Sequence, residues 1–245
     1  MVDQIESDSL KKEKLLYQGK AKDIYQTNDK DYVIMHYRDD ATAFNGVKKA
    51  SLSDKGRVNN RFNAFVMDLL EKEGIKTHFV DVLSDNESIV KSLEMLKVEC
   101  VIRNYAAGSI CKRLGLKKGY EFKTPLFEFF YKSDELDDPM IAESHILALE
   151  MATNTEIDQM KEITFKVNEI LRKLFDKANL DLVDFKIEFG RYNGKLILGD
   201  EFTPDGCRLW DKTTKKVMDK DRFRQDLGDV IETYKEVLER LGIDI

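Results

Sequence analysis

The sequence predicts a two-lobed α+β fold, and the order of its secondary-structure signals is the reason. Residues 1–95 are rich in strand patterns and contain one strongly periodic helix, whereas residues 96–245 mix strands with several helices around one charged hairpin. Strands and helices that are segregated along the chain in this way are typical of α+β proteins. We therefore predict a β-rich N-terminal lobe over residues 1–95 and a larger α+β lobe over residues 96–245.

Three strands are predicted at the start of the N-terminal lobe, at 15–18, 21–26 and 32–37. The first two are separated by Gly19-Lys20, which is typical of a tight hairpin. Together with Lys22, this hairpin could bind a polyphosphate through its backbone N–H groups and its ammonium groups. The alternative is an ordinary surface hairpin. Neither GxxxxGK[ST] nor GxGxxG occurs in the chain, so no P-loop is predicted.

The rest of this lobe is predicted to contain one helix and two further strands. Arg38 to Gly46 is a polar loop with small residues between its charges, and loops of this kind often serve sites. From Asp54 the apolar residues recur at spacings of three and four until Gly74, which predicts a helix with a core-facing stripe. Strands are predicted to follow at 77–83 and 88–91.

The second lobe is predicted to begin with a strand at 98–102 that delivers Arg103 and Asn104 to a loop. Gly108-Ser109 then opens a short helix. A helix N-terminus carries unpaired N–H groups and a positive dipole end. Ser109, with Arg103 nearby, is therefore a candidate binding site for a monophosphate. The alternative is that Ser109 only caps its helix and that Arg103 lies on the surface.

One aromatic strand and three helices complete the second lobe outside the charged hairpin. The strand is predicted at 127–131 and ends at Lys132. Apolar residues at helical spacing predict the three helices, which cover 143–150, 155–178 and 220–241.

The charged hairpin between Asp181 and Asp211 is the most informative stretch. At period two, apolar residues fall on one face of its first strand, namely Val183, Phe185, Ile187 and Phe189. Charged residues fall on the other face, namely Asp184, Lys186 and Glu188. After the turn signal Asn193-Gly194, an apolar strand returns to Asp200. The first face is predicted to be core, and the second is either a chemical site or a solvated charged face.

The length of the hairpin loop decides which acidic residues meet. A two-residue loop pairs Glu188 with Gly199, whereas a three-residue loop places Glu188 directly opposite Asp200. Directly opposed residues have Cβ atoms about 4.5–5.5 Å apart, so two carboxylates there repel unless a cation neutralises them. An oxygen-only pair of this kind suits Mg²⁺, and a charged face bridged by Lys186 is the alternative.

The composition is that of a soluble globular protein with no nucleic-acid or membrane partner. The chain of 245 residues is 42% hydrophobic and 35% charged, and its net charge of −6 disfavours broad nucleic-acid binding. We expect no signal peptide, because residues 1–14 are polar, and no membrane span, because no stretch approaches about 18 apolar residues. Three cysteines without a CxxC pair fit a reducing cytoplasm, and His36, His78 and His145 lack metal-ligand spacing and are assigned no role.

Several motifs occur in the same order as in one enzyme family: Gly19-Lys20-Ala21-Lys22, Arg103-Asn104 with Gly108-Ser109, Asp184 to Gly190, Gly199-Asp200-Glu201, and Asp205 to Asp211. Over about residues 15–241 the chain resembles the SAICAR synthetases, the phosphoribosylaminoimidazole-succinocarboxamide synthases. The resemblance implies a two-lobed fold related to ATP-grasp and kinase-like nucleotide folds. It also implies ligation of L-aspartate to carboxyaminoimidazole ribonucleotide (CAIR) in purine biosynthesis, through an acyl phosphate, with ATP converted to ADP and phosphate.

The same resemblance implies roles for single residues. The residues implied to line the ATP site are Lys20, Ala21, Lys22, Met95 and Lys132. Those implied to hold Mg²⁺ on the ATP phosphates are Glu188 and Asp200, which favours the three-residue hairpin loop. Those implied to bind the ribonucleotide phosphate are Arg103, Ser109 and Arg208. The catalytic residues implied to face the ribose and the imidazole carboxylate are Asp184 and Lys186.

One position departs from the family pattern. Many members have an acidic residue where this chain has Asn45, so Asn45 is predicted to make a substrate-side or water-mediated contact. Lys220 and Arg224 are candidates for the aspartate side, with a solvated helical face as the alternative. We expect a homodimer. A kinase or ligase acting on a different carboxylate, and a non-catalytic nucleotide-binding regulator, are the alternative functions.

Overall fold

The computed structural model describes residues 9–43 and 46–244. The strands in this part of the chain are β1 (Lys12–Gln18), β2 (Lys22–Thr27), β3 (Tyr32–Tyr37), β4 (Asp40–Ala43), β5 (Lys48–Ser51), β6 (Phe79–Ser84), β7 (Glu87–Lys91), β8 (Glu94–Tyr105), β9 (Glu121–Tyr131), β10 (Met140–Ile141), β11 (Leu180–Tyr192), β12 (Lys195–Gly199) and β13 (Cys207–Asp211). The helices are α1 (Lys55–Lys72), α2 (Ser109–Leu114), α3 (Glu143–Ala148), α4 (Asn154–Lys177), α5 (Asp221–Arg224) and α6 (Val230–Arg240).

Two antiparallel sheets organise the described residues. The first has the strand order β1-β2-β3-β7-β6, and the second has the order β10-β9-β8-β11-β12, with β13 also paired to β11. Strands β4 and β5 form a separate hairpin. Because β11 is hydrogen-bonded to β8 on one edge and to β12 and β13 on the other, it is a central strand of the second sheet.

The main core packs helices α1, α4 and α6 against the second sheet. Phe185, Ile187 and Phe189 of β11 enter this core, as their alternation predicts. Phe62 of α1 stacks on Phe175 of α4, with ring centroids 6.3 Å apart. Helix α1, although it belongs to residues 1–95, therefore shares its core with elements of residues 96–245.

One residue of the predicted core face departs from the alternation. The register of β11 against β13 shifts between Leu182 and Asp184, which places Val183 in a bulge. Val183 packs in a small separate cluster with Ala107 and Trp210, whereas Leu182 enters the main core. The prediction that Val183 shares a face with the other apolar residues of β11 is therefore wrong, because a bulge inserts one residue and reverses the alternation.

Two predicted loops contain strand residues. The stretch 38–46 was expected to be irregular, but it includes strand β4. Arg103 and Asn104 lie within β8 rather than in a loop after it. Phe44 and Asn45 lie outside the described residues, and so does the predicted contact of Asn45.

The last predicted helix is broken into α5 and α6. Gly228 and Asp229 have φ angles of 69° and 49°, and these left-handed values cannot continue a right-handed helix. The apolar stripe nevertheless continues across the break, which is why periodicity alone predicted one helix. None of the helices that the structure describes is long and apolar enough to cross a bilayer.

Helix α4 begins with a capping box that is tied to β11. The Thr153 hydroxyl accepts a hydrogen bond from the Glu156 N–H at 3.2 Å, and the Glu156 carboxylate accepts one from the Thr153 N–H at 2.8 Å. Arg191 of β11 donates two further hydrogen bonds to that carboxylate, at 2.6 and 3.0 Å. The bonds from Arg191, supported by those from Thr153, lower the pKa of Glu156 to about 2.

We expect Glu156→Gln to destabilise the protein at neutral pH by about 1–2 kcal/mol, because it removes the charge-assisted pair with Arg191 and leaves only the neutral half of the capping box. The folded-state pKa of Glu156, about 2, lies below the ordinary value of 4.5, so its stabilisation is complete above 4.5 and is lost as the pH falls towards 2. Urea unfolding of both proteins at neutral pH and at a pH of about 3.5 measures this loss. A difference in unfolding free energy that stays constant with pH would contradict the assignment.

Candidate active site

The charged residues of β11 lie on one face of the second sheet. In the register of β11 against β8, Asp184 is paired with Arg103 and Glu188 with Glu99. Asp184 is buried, and Glu188 is fully buried. Because alternate residues of a strand project to the same side, Asp184, Lys186 and Glu188 form a row of negative, positive and negative groups.

The hairpin of β11 and β12 has a two-residue loop. Asn193 and Gly194 have φ angles of 50° and 73°, which a type I′ turn requires at both central positions. Glu188 is consequently paired with Gly199. The prediction that Glu188 lies directly opposite Asp200 is therefore wrong, because the tightest turn that the Asn-Gly pair permits sets the register.

The carboxylate that faces Glu188 across the sheet belongs to Glu99 of β8. The Lys186 ammonium lies 2.7 Å from an oxygen of Glu99 and 2.7 Å from an oxygen of Glu188. Lys186 therefore neutralises two facing carboxylates, as the alternative predicted, but the second carboxylate is Glu99 and both lie buried on a central sheet instead of on a solvated face. Burial acts to lower the pKa of Lys186, but Glu188 and Glu99 outweigh it and hold that pKa well above its usual range.

A second group of charges gathers where β12 ends. The Asp200 carboxylate pairs with the ammonium of Lys22, which comes from β2 of the first sheet, and Lys132 at the end of β9 pairs with Glu188. Burial acts to raise the pKa of Asp200, but Lys22, Lys132 and Lys186 together hold it well below its usual range. Asp200 and Glu188 thus belong to one cluster through shared lysines, although they are not cross-strand partners.

The hairpin that carries Lys20, Ala21 and Lys22 joins the first sheet to this cluster. The Lys20 ammonium lies 2.7 Å from a carboxylate oxygen of Asp134, and both side chains are well exposed. The Ala21 carbonyl accepts a hydrogen bond from the Arg38 N–H at 2.8 Å. A cavity of about 680 Å³ adjoins the hairpin, and Lys20, Arg38 and Asp134 are among its lining residues.

Met95 is the second residue of β8 and lies beside Gly199, the last residue of β12. Its side chain is 39% exposed. A Cβ atom at Gly199 would come within 3.1 Å of the Met95 sulfur. Met95 therefore presents a partly exposed thioether beside the strand end that leads to Asp200, and an adaptable apolar group of this kind can pack against a ring.

The other end of the row is a network of arginines around Asp184. Arg103 donates a hydrogen bond to Asp184 at 2.8 Å, and Arg208 donates two to it, at 2.9 and 3.2 Å. Arg103 also donates to Glu128 at 2.7 Å and is 4% exposed. The alternative that Arg103 lies on the surface is therefore wrong, because its guanidinium is buried between two carboxylates.

Arg208 lies against the start of helix α2. A Cβ atom at Gly108 would come within 2.6 Å of an Arg208 guanidinium nitrogen, so this approach needs a glycine. Ser109 is the first residue of α2 and is exposed, while Gly108 takes the cap position without a side-chain hydrogen bond. The alternative that Ser109 caps the helix is therefore wrong, and its hydroxyl lies one residue from the Arg208 contact.

Lys220 and Arg224 extend the arginine network. Arg224 donates to Asp221 at 2.7 Å, and Asp221 accepts from Arg208 at 2.9 Å. The Lys220 ammonium lies 3.9 Å from Asp205, and its side chain is only 13% exposed. Burial lowers the pKa of Lys220 despite the opposing charge of Asp205. The interpretation of this helix face as solvated is therefore wrong for Lys220.

Four residues of the site region were given no role from the sequence: Glu99, Glu201, Lys55 and Asp205. Glu201 lies 3.4 Å from Lys22. The Lys55 ammonium is fully buried 2.6 Å from Asp205, which ties the start of α1 to the loop before β13. Glu99 could have been found, because a carboxylate inside the apolar run 98–102 signals a buried charge that needs a partner.

The acidic residues of the cluster fit a magnesium ion bound largely through water and phosphate. Within residues 9–43 and 46–244, no group of three or more His, Cys, Asp or Glu side chains could hold a metal ion. Mg²⁺ usually takes one or two protein carboxylates and completes its shell with water and substrate phosphates. Glu188 and Asp200 offer oxygen ligands of that type, so they stay the predicted magnesium residues.

Residues 15–241, nearly the whole chain, match the family model of SAICAR synthetase. This chain belongs to the SAICAR synthetase family. It is 58% identical to the phosphoribosylaminoimidazole-succinocarboxamide synthase of Acinetobacter baumannii over 234 residues. The matched region covers 96% of this chain and 98% of that protein. The crystal structure of the Ehrlichia chaffeensis synthase has a TM-score of 0.93 and 45% identity, covering 95% of this chain and 100% of that one. A SAICAR synthetase in complex with ADP has a TM-score of 0.90 and 48% identity, and the match covers 93% of this chain and 97% of that one.

These relatives confirm two predictions made from the sequence. The resemblance to the SAICAR synthetases is confirmed by the family match and by the identity over nearly the full chain. The α+β fold of that family is confirmed by the structural neighbours. The roles of single residues stay predictions, and their positions in the structure support some of them more directly than others.

We expect Asp184→Asn to lower the free energy of unfolding by about 3 kcal/mol, because it leaves two guanidinium groups of a buried network beside a neutral amide. Urea unfolding measures the change. Glu169→Gln is the matched control, since Glu169 and its partner Lys173 have side chains 68% and 71% exposed, and losing such an exposed pair should leave the free energy of unfolding nearly unchanged. Equal losses in the two variants would contradict the central place given to Asp184.

Proposed function

We propose that this protein is an ATP-dependent ligase that joins L-aspartate to the carboxylate of CAIR, giving SAICAR, ADP and phosphate in purine biosynthesis. Membership of the SAICAR synthetase family supports this activity. The structural observation that carries the proposal is the row along β11, which has a lysine-rich cluster at Glu188 and an arginine-rich network at Asp184. One triphosphate and one phosphorylated ribose need two such cationic regions in a fixed relation.

The proposed reaction has two steps. An oxygen of the CAIR carboxylate attacks the γ-phosphorus of ATP, and the bond between that phosphorus and the bridging oxygen breaks as ADP leaves. The aspartate amine then attacks the acyl carbon, the carbon–oxygen bond breaks, and phosphate departs with the electron pair and takes up a proton from the nitrogen. Both steps need charge neutralisation and alignment more than a protein nucleophile.

We assign the lysine-rich cluster to the nucleotide. Lys22, Lys132 and Lys186 are held in place by carboxylates, so they are oriented before a phosphate arrives. Lys20 and Ala21 would line the nucleotide beside the cavity of about 680 Å³, and Met95 would pack against its base. Glu188 and Asp200 would hold Mg²⁺, which when bound neutralises phosphate charge and aligns the γ-phosphoryl group.

We assign the arginine-rich network to the ribonucleotide. Arg208 lies against Gly108, the residue before Ser109, and we assign Arg208 and Ser109 to the phosphate. Arg103 would act mainly by orienting Asp184, because its guanidinium is already bonded to two carboxylates. Asp184 would face the ribose, and Lys186, midway along the row, would meet the imidazole carboxylate where the phosphoryl group is transferred.

A kinase or ligase that uses a different carboxylate is the second candidate function. The same lysine-rich cluster supports it, since phosphoryl transfer to any carboxylate needs similar groups. The two functions differ in which substrates ADP release requires, so the experiment below separates them.

We also propose the setting in which the protein works. Residues 1–95 and 96–245 would act as two lobes around the nucleotide. A cytoplasmic location is supported by the free thiols of the three cysteines, of which Cys100 and Cys207 are buried. A homodimer is supported by strand β1, an edge strand on which Leu15, Leu16 and Tyr17 are each about half exposed.

The protein should have twice its chain mass of 28.4 kDa in solution. Size-exclusion chromatography with light scattering measures this mass. Leu16→Lys, which puts a charge on the exposed edge strand, should shift the protein towards the single-chain mass. A mass of one chain for the unaltered protein at micromolar concentration would contradict the dimer.

The activity should require ATP, Mg²⁺, CAIR and L-aspartate together, and Glu188→Gln should slow it by about 100-fold, because the variant loses the carboxylate that orients two lysines. ADP release is measured with each component omitted in turn, and the product is identified by its mass. Release that persists without aspartate would favour the second candidate function. Glu188→Gln should keep the circular dichroism spectrum of the unaltered protein.

Glu94→Gln is the matched control for Glu188→Gln. Glu94 also lies on the second sheet and pairs with Arg191 at 2.7 Å, but its side chain is 72% exposed and lies outside the cluster. Its rate should stay within about twofold of the unaltered protein, as expected for an exposed pair. A normal rate in Glu188→Gln would overturn the magnesium and phosphate assignment.

A further inference from the structure

The segment between β13 and α5 runs back along β13. The Met218 N–H donates to the Leu209 carbonyl at 2.8 Å, and the Leu209 N–H donates to the Asp219 carboxylate at 2.8 Å. Leu209 directly follows Arg208, which we assign to the ribonucleotide phosphate. The segment therefore holds the main chain next to a proposed substrate-binding residue.

The Asp219 side chain ties β13 to the first residue of α5. It is fully buried. Its Oδ2 atom accepts from the Leu209 N–H, and its Oδ1 atom accepts from the Asp221 N–H at 2.7 Å. A buried carboxylate is costly unless it is hydrogen-bonded, and a side-chain amide would offer only one acceptor oxygen to these two N–H groups. Burial and the charge of Asp221 raise the pKa of Asp219 to about 7, so the carboxylate is ionised above that pH.

The residue at the other end of this tie, Asp221, contacts Arg208 directly. Its Oδ2 atom accepts from Arg208 Nε at 2.9 Å, and its Oδ1 atom accepts from Arg224 at 2.7 Å. The two hydrogen bonds from Arg208 to Asp184 both come from Nη1. Contacts through a single nitrogen leave a guanidinium group free to turn, so the bond to Asp221 is what fixes its plane.

The direction of this plane matters because of the third guanidinium nitrogen. A Cβ atom at Gly108 would come within 2.6 Å of Arg208 Nη2, so this nitrogen faces the start of α2, where Ser109 lies. With Nε held by Asp221 and Nη1 held by Asp184, Nη2 is directed at the proposed phosphate position. A guanidinium group binds phosphate through fixed donor directions, so a turn of its plane would weaken that contact.

We propose that Asp219 is a positioning residue for the ribonucleotide, because it fixes Asp221 against β13 so that Asp221 turns the Arg208 guanidinium towards the phosphate. This inference rests on the proposed assignment of Arg208 to the phosphate. Asp219 acts on the substrate only through Asp221 and Arg208, and this separates its role from that of a residue that merely stabilises β13.

The proposal makes CAIR binding sensitive to residue 219 and leaves nucleotide binding unaffected. Asp219→Asn keeps the size of the side chain but leaves one of the two N–H groups without an acceptor. We expect the Kd for CAIR, measured by calorimetry at a pH of about 8, to rise about tenfold, the effect of losing one hydrogen bond to a charged group. The Kd for ADP with Mg²⁺ should stay within about twofold of the unaltered protein.

Asp211→Asn is the matched control, because Asp211 is a buried carboxylate at the other end of β13. It accepts from the N–H groups of Thr213 and Thr214 at 3.0 and 2.6 Å. The substitution therefore removes a similar backbone acceptor without altering the contact between Asp221 and Arg208. Its Kd for CAIR should stay within about twofold of the unaltered protein. Equal losses of CAIR affinity in the two variants would overturn the proposal, since the loss would then reflect general damage to β13.

A double-mutant cycle tests whether Asp219 acts through Asp221. Asp221→Asn alone should raise the Kd for CAIR about tenfold, because it removes the charge that holds Arg208 Nε. Adding Asp219→Asn to this variant should change the Kd by less than about twofold, because the contact that Asp219 supports is already lost. Fully additive losses would overturn the proposal.

The state of Arg208 can also be followed without a ligand. In protein labelled with ¹⁵N-arginine, the Nε–H resonance of Arg208 is identified by its loss in Arg208→Lys. It should shift in Asp219→Asn and stay in place in Asp211→Asn, because only the first substitution moves the Asp221 acceptor. An unchanged resonance in Asp219→Asn would overturn the proposal.

Two further outcomes are decided by the same measurements. If Asp219→Asn does not fold, Asp219→Ser replaces it, since its single hydroxyl oxygen also cannot serve both N–H groups in the same way. An unchanged CAIR affinity in that variant would again overturn the proposal. If the unaltered protein binds CAIR but forms no SAICAR, or binds no CAIR, the proposed function fails, while the Nε–H resonance still decides whether Asp219 positions Arg208.

Discussion

The electrostatic balance along β11 is the constraint on which the rest of the site depends. Removing one partner from a buried ion pair costs about 3–5 kcal/mol, so each charged group in the row needs an opposite charge. Asp184 lies between two guanidinium groups, Lys186 between two carboxylates and Glu188 between two ammonium groups. A substrate phosphate therefore meets cations that are already oriented, and it competes with protein carboxylates for them. The orientation is established when the protein folds and not at each turnover.

The geometry of a strand also sets the scale of the site. A strand rises about 3.3 Å per residue, so the four steps from Asp184 to Glu188 span about 13 Å, with Lys186 midway. In the proposed reaction the ribonucleotide phosphate and the ATP phosphates are held at opposite ends, and the reacting carboxylate meets the γ-phosphoryl group between them. A single central strand that is paired on both edges can fix this separation more rigidly than loops can.

Local sequence patterns predicted the strand faces but not the contacts between strands. Phe185, Ile187 and Phe189 were assigned to the core because alternation is a local property, whereas the pairing of Glu188 with Glu99 depends on the register of two strands that are far apart in the chain. The hairpin register was predicted wrongly because a metal site was assumed to need facing carboxylates, although Asn193-Gly194 favours the shorter loop. The bulge at Val183 likewise has no local signal, since it follows from how β13 pairs with β11.

The two sheets are joined by contacts of unequal strength, and this decides where a ligand can enter most easily. At His78 they share backbone hydrogen bonds, and Lys22 of β2 pairs with Asp200 at the end of β12 through side chains only 14% and 15% exposed. On the other side, Lys20 meets Asp134 through side chains 43% and 64% exposed, and an exposed pair of this kind contributes only about 0–1 kcal/mol. Separating Lys20 from Asp134 therefore costs far less than breaking the buried contacts. The proposed nucleotide would therefore enter most easily beside Lys20, where separating the two sheets costs the least free energy. The cavity of about 680 Å³ also lies on this side.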